Sequence, residues 1–243
     1  GGLVGTVLLV LLLHRCFFRG PALPPTPLPA TRIVDFHVHT AGVGAGGSGC
    51  FVSAGMQASY KFAVYLKAFG TTRSDLLRDG DAFIIRRLAE QVAQSRHLSH
   101  AVVLALDGVI DEATGQLDRQ RTEVFVPDEF VERQTALHSN LLWGASINPL
   151  RPDALDRLDW AARHGAVLVK WIPSIMQIAP DDPRFAKFYR RLAELEMPLL
   201  CHAGREHSFT QARDELCDPR RLRLPLSLGV RVIAAHVAST GEN

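Results

Sequence analysis

The chain has 243 residues and a formal net charge of +2 at neutral pH, so no global positive field marks it as a nucleic-acid binder. Hydrophobic residues make up 47 % and charged residues 21 %, the balance of a folded globular protein long enough for one large domain or two small ones. The four cysteines, Cys16, Cys50, Cys201 and Cys217, form no CxxC pair and indicate neither a thiolate zinc site nor a disulfide framework.

Residues 1–13 are uninterrupted apolar or small residues, followed by His14, Arg15, Cys16, Phe17, Phe18 and Arg19. A spanning helix needs about 20 apolar residues, and residues upstream of Gly1 would supply the remainder. The sequence opens inside this run and closes at Asn243, just past a strand and its loop, as expected of a segment of something longer. A secretory signal has an apolar core of about 7–15 residues, but no small-x-small cleavage site follows cleanly. Residues 1–19 are therefore expected to be a hydrophobic membrane anchor, with a signal peptide or a buried core helix as alternatives. Arg15 and Arg19 favour a cytoplasmic C-terminal side, although the other flank is not visible and the side stays open. Residues 20–31 contain five prolines and read as a semi-rigid linker. The folded domain is expected over 32–243.

From Arg32 onward, short apolar runs alternate with helical stretches. The strand-like runs are 33–38, 101–106, 141–147, 166–172, 198–201 and 230–235. Being apolar at nearly every position, they suit strands buried on both faces of a parallel sheet. The long segment 41–100 is expected to be a lid or cap. Within it, 42–49 is glycine-rich and reads as a flexible loop at the mouth of a site, not a phosphate cradle; no GxGxxG follows the first strand. A helix is expected over 81–96, with Phe83, Ile84, Leu88 and Val92 as a packing stripe. Pro127 begins a helix to about Asn140, and Pro152 begins one over 153–164 that Gly165 ends. Asp182 caps and Pro183 opens 184–196. Asp218 and Pro219 open a last helix, limited by Pro225. Strands alternating with helices imply βαβ units, in an open sheet or a closed barrel. The polar residues at the strand ends decide for the barrel.

On the first strand, Asp35, His37 and His39 alternate with Val34, Phe36 and Val38. Alternation puts the three polar groups on one face, with the histidines about 6–7 Å apart along the strand. A metal ion at about 2 Å from each nitrogen bridges such a gap; a polar edge strand is the plainer alternative. His202 and His236 end the fifth and sixth runs, which brings four histidines to three strand ends, where barrel active sites sit. His202 is expected to be a ligand, and His236 either a ligand or an acid–base group. Lys170 lies in a buried run, which is costly unless it is paired or reactive. It is read as a site lysine, carbamylated in a two-metal centre, or as a snorkelling side chain. Asp107 and Asn148 end the second and third runs and are equally turn or site residues. The loop at 204–208 carries Arg205, Glu206 and His207; it is either a solvated loop or an overhang whose Arg205 and His207 contact a polar or anionic substrate. His14, His97, His100, His138 and His164 are assigned no chemistry.

The ordered set Asp35-x-His37-x-His39, Lys170, His202 and His236 resembles the amidohydrolase superfamily. The stretches His202-Ala203-Gly204 and Ala234-Ala235-His236 are nearest its amidohydrolase-related branch, which includes decarboxylases and lactonases. The resemblance covers about 32–241. The DxHxH motif alone is shared with other barrels; the whole ordered set is more specific. The resemblance implies a (β/α)8 TIM-barrel fold with His37, His39 and His202 as metal ligands. It implies that His236 orients or deprotonates a metal-bound water, and that Lys170 is the strand-four lysine, carbamylated only in binuclear members. In the family an aspartate after strand eight completes the site. Six of eight strands are readable here, so that aspartate is absent and two sheet edges are expected to be exposed. The expected function is metal-dependent hydrolysis of an amide, ester or lactone carbonyl, with zinc as the divalent ion and a small molecule as substrate. The alternatives are non-oxidative decarboxylation of an aromatic or enoic acid, with Arg205 as carboxylate partner, and a membrane-tethered binding module without catalysis. No nucleic-acid partner is expected, the membrane is met through the N-terminal segment, and homo-oligomerisation is left open.

Overall fold

The computed structural model describes residues 33–236. The expected anchor at 1–19 and linker at 20–31 lie outside the described residues. Among the described residues, no helix is long and apolar enough to cross a membrane.

The strands are β1 (Ile33–His39), β2 (Phe51–Val52), β3 (Leu98–Leu104), β4 (Val124–Phe125), β5 (Leu141–Gly144), β6 (Val169–Trp171), β7 (Leu199–His202) and β8 (Val232–Ala235). All six expected runs appear as parallel strands, in the orders β1-β3-β5 and β6-β7-β8. A parallel bridge between Ala145 and Val169 joins the two sets, with Lys170 N donating to Ala145 O at 2.7 Å. The wall thus follows sequence order, as successive βαβ units require. Among the described residues β1 and β8 do not pair, so the sheet is not closed. The short β2 and β4 pair antiparallel, Phe51 opposite Phe125. Two-residue strands leave no periodic signal, and the sequence did not announce them.

The strands bury both faces in different company. A small cluster made only of strand and strand-flanking residues, Val102, Leu104, Leu168, Leu200 and Ala235, fills the concave side. The alternate residues Ala101, Val103 and Ala105 join the larger cluster with helix residues such as Ile84, Ile85 and Phe130. Period-two alternation then places Lys170, two beyond Leu168, and His202, two beyond Leu200, directly above the inner apolar layer.

The first strand departs from strict alternation. Its register with β3 shifts between Asp35 and Val38. Val34 packs on the inner cluster whereas Val38 packs on the helix side, so the shift exchanges the faces midway along the strand. Asp35 therefore does not share a face with the histidines as alternation predicts. Its Oδ1 accepts the backbone N–H of His37 at 2.9 Å.

The helices are α1 (Ala54–Ala58), α2 (Tyr60–Ala68), α3 (Arg73–Asp79), α4 (Ala82–Gln94), α5 (Asp128–Thr135), α6 (Ala154–Arg163), α7 (Pro173–Met176), α8 (Ala186–Glu194) and α9 (Arg223–Ser227). Helix α5 stops short of Asn140. The last helix begins as a 3-10 turn, Pro219–Leu222, and continues through Pro225 instead of ending there. Pro225 sits in the first turn of α9, where a missing N–H is harmless. The glycine-rich loop is not free: the buried Asp81 carboxylate accepts from Val43 N (3.0 Å), Gly44 N (2.9 Å) and the Ser48 hydroxyl. A Cβ on Gly42 would lie 2.3 Å from the same carboxylate, so only glycine admits this close approach. The loop is an anion nest that the chain fills itself.

Asp107 and Asn148 resolve as loop anchors. Asp107 takes two 2.6 Å hydrogen bonds from Arg151, one of 2.8 Å from Gly108 N and one of 2.7 Å from Asn148 N. The Asn148 amide donates to Gly108 O and Met176 O. Arg151 is 11 % exposed at its side chain, so Asp107→Ala leaves a nearly buried guanidinium unpaired. We expect that substitution to destabilise the fold by about 3–5 kcal/mol, read as a lower urea midpoint at unchanged slope; a loss within the error of an exposed-site control would contradict this role.

Candidate active site

The C-terminal ends of β1, β6, β7 and β8 deliver His37, His39, Lys170, His202 and His236 to one place. His37 and His39 approach through their Nε2 atoms, 3.1 Å apart, with ring centroids 4.9 Å apart. The Lys170 Nζ lies 3.1 Å from His37 Nε2. The His236 ring is centred 5.0 Å from both His37 and His202. His236 follows directly on β8 with φ of 61°, a left-handed conformation that a non-glycine residue adopts at a cost. This turn carries its ring next to the other two.

Burial governs the charge of the cluster. It pushes the His37 imidazole down to about 3, with Lys170 and then the neighbouring histidines adding to the effect. It likewise holds His39 well below the ordinary histidine value, again with Lys170 next. His202 is lowered by burial, against the opposing pull of Glu206. Lys170 is fully buried, and desolvation lowers its amine to about 8. The β1 pair are therefore neutral imidazoles, the state that ligates metals or accepts protons.

The residues fit a metal ion in part. Two nitrogens at about 2.0–2.1 Å from a tetrahedral ion lie about 3.3–3.4 Å apart, close to the 3.1 Å between His37 and His39 Nε2. His39 Nδ1 is buried without a hydrogen-bond partner. The third expected ligand is turned aside: His202 Nε2 is 3.4 Å from Arg205 O, and its Nδ1 is 3.5 Å from Glu206 Oε2. Among the described residues, no three His, Cys, Asp or Glu side chains converge as an enclosed ion requires.

Above the histidines opens a cavity of about 460 Å3. His37, His39, His202 and His236 line it together with Thr40, Glu206, Ser208 and an apolar wall. The wall comes from the cap: Met56 of α1, and Phe62, Tyr65, Leu66 and Phe69 of α2 and its end. The expected lid segment thus supplies the roof. Its signal, apolar residues at i, i+3, i+4 and i+7, is present in the sequence but is overshadowed by the stronger stripe of α4. Arg205 and His207 do not line the cavity; the residue between them, Glu206, does. Arg205 lies 3.8 Å from Asp214, and His207 O accepts from Lys61 Nζ at 2.6 Å.

No family model and no curated protein matches the sequence. Solved structures do resemble the fold. 2,6-Dihydroxybenzoate decarboxylase in complex with 2,6-dihydroxybenzoate has a TM-score of 0.54 at 13 % identity, covering 86 % of this chain and 67 % of that one. An uncharacterised TIM-barrel protein from Bordetella bronchiseptica has a TM-score of 0.53 at 11 % identity, covering 84 % and 66 %. IDCase from Metarhizium anisopliae in its apo form has a TM-score of 0.50 at 12 % identity, covering 87 % and 66 %. The chain spans 66 % of the Bordetella protein and about half, 50 % and 49 %, of two further matches. At such identities the likeness is one of fold: this chain is built as a TIM-barrel wall.

Proposed function

We propose that the chain carries the reaction centre of a metal-dependent hydrolase acting on an amide, ester or lactone carbonyl. The observation that supports this reading is the pair of neutral imidazoles, His37 and His39, with Nε2 atoms 3.1 Å apart at the floor of an apolar cavity. His37 and His39 are the residues spaced to hold a divalent ion, zinc first among the candidates, and His202 would join them only by turning away from Arg205 O and Glu206. When bound, such an ion acidifies a water and polarises a carbonyl oxygen. The chain's own groups do the rest. His236, beside both His37 and His202, is placed to take and return a proton at its imidazole. Lys170 meets His37 Nε2 from beneath and orients that ring; its carbamylation belongs to a two-metal centre. Arg205 and His207 are assigned to the rim of the entrance, where a polar part of the substrate would pass, and residues 1–19 to attachment at a membrane. Decarboxylation on the same centre is the second reading, favoured by the fold likeness to 2,6-dihydroxybenzoate decarboxylase.

The direct test is metal content and turnover of the purified full chain against panels of neutral amides, esters and lactones, and of aromatic acids with carbon dioxide release as readout. His37→Ala is expected to abolish both bound zinc and hydrolysis; full activity in that variant would sink the proposal.

Lys170 gives a second test, on metal-free protein. Its amine gives up its proton at about 8 when folded and at its ordinary 10.5 when unfolded. Between these values the unfolded chain binds more protons, so stability rises with pH across that window. Lys170→Met is expected to remove that rise from denaturation curves taken between pH 7 and pH 11; an unchanged pH profile would show that the amine is not desolvated.

A further inference from the structure

We infer that the cavity selects an uncharged carbonyl compound bearing an alkyl or aryl group and excludes carboxylates. The inference rests on the reading of the histidine cluster as the reaction centre and names the substrate class that this centre takes. Among the described residues that line the cavity there is no lysine or arginine. The nearby cations are engaged elsewhere: Arg205 with Asp214 at 3.8 Å, Lys61 with His207 O at 2.6 Å, and Lys170 beneath the floor against His37 at 3.1 Å.

Among the described residues the one carboxylate in the lining is Glu206, 9 % exposed at its side chain, with Oε2 3.5 Å from His202 Nδ1. Its place is fixed: Oε1 accepts from Ser208 N at 2.7 Å, and its backbone N–H donates to Asp214 at 2.9 Å. In the metal-free site a substrate carboxylate brought to the histidines would sit beside this like charge in surroundings of low polarity, which opposes binding, and the titration in EDTA reads that state. In the same lining, Phe62, Tyr65, Leu66 and Phe69 offer an apolar wall with no hydrogen-bonding group save one phenol. An alkyl or aryl substituent gains there by leaving water.

The test uses two probes that cannot be hydrolysed and have equal carbon counts, octan-2-one and octanoate. Calorimetric titration of the full chain at pH 7, as isolated and again in EDTA, reads binding without turnover, so the outcome stands whether or not the protein hydrolyses anything. Octan-2-one is expected to bind, with affinity rising about fourfold per methylene from butan-2-one upward. Octanoate is expected to bind about tenfold more weakly or worse. Glu206→Gln should strengthen octanoate alone and narrow the gap. Tyr65→Asp, at a half-buried position, should weaken both probes and octanoate more. Octanoate binding as tightly as the ketone, or a gap that Glu206→Gln leaves unchanged, overturns the exclusion of carboxylates. Affinity that does not grow along the ketone series overturns the apolar preference.

Discussion

A lysine with no access to water must find its partners inside the protein, and Lys170 finds His37 across the interior of the sheet, 3.1 Å away. This contact ties the fourth parallel strand to the first. An unmatched amine at that depth would destabilise the fold, so β1 and β6 are held in one relation to each other. The inner apolar layer of Leu104, Leu168 and Leu200 lies below and fixes the height at which the polar layer begins. The histidines inherit their positions from this arrangement, and the same burial keeps them neutral. A centre built this way is set before any ligand arrives, since its geometry follows from packing rather than from surface loops.

Much of this was legible in the sequence. The six strands declare themselves as apolar runs because both faces are buried, and polar residues breaking such runs at their C-terminal ends mark a site by exclusion. His37, His39, Lys170, His202 and His236 are all found this way and come together as expected. The register shift in β1 was not legible, because it changes pairing without changing composition. Strict alternation therefore misplaced Asp35, while the histidines reached the inner face through the shift itself. Glu206 was passed over in favour of Arg205 and His207, since a loop has no period that says which of three neighbours turns inward. The ring of donors around Asp81 was hidden for a similar reason: glycine runs predict loops, and only the distant acid at the start of α4 shows that this loop is tied down.

The loop after β7 is hydrogen-bonded both to the cap and to the segment before β4. The buried Glu123 carboxylate, next to β4, accepts from the backbone N–H groups of Thr210 and Gln211, each at 2.9 Å, and from the Thr210 hydroxyl. Lys61 on α2 holds His207 O from the other side. The helix that supplies the apolar wall is thus strapped to the loop that carries Glu206. Function assigned to the loop alone, or to the cap alone, misses this coupling.

The low polarity that silences the charge on His37 and His39 acts equally on whatever enters. Imidazoles stripped of water favour a partner that accepts their lone pairs, and an apolar roof strengthens each such interaction by excluding competing solvent. The same environment penalises a bare carboxylate, and Glu206 already places a carboxylate beside His202. Fold likeness to a barrel that holds a dihydroxybenzoate therefore does not carry the acid preference with it. On the proposed reading, the wall and the carboxylate, rather than the strand scaffold, would decide which compounds reach the histidines.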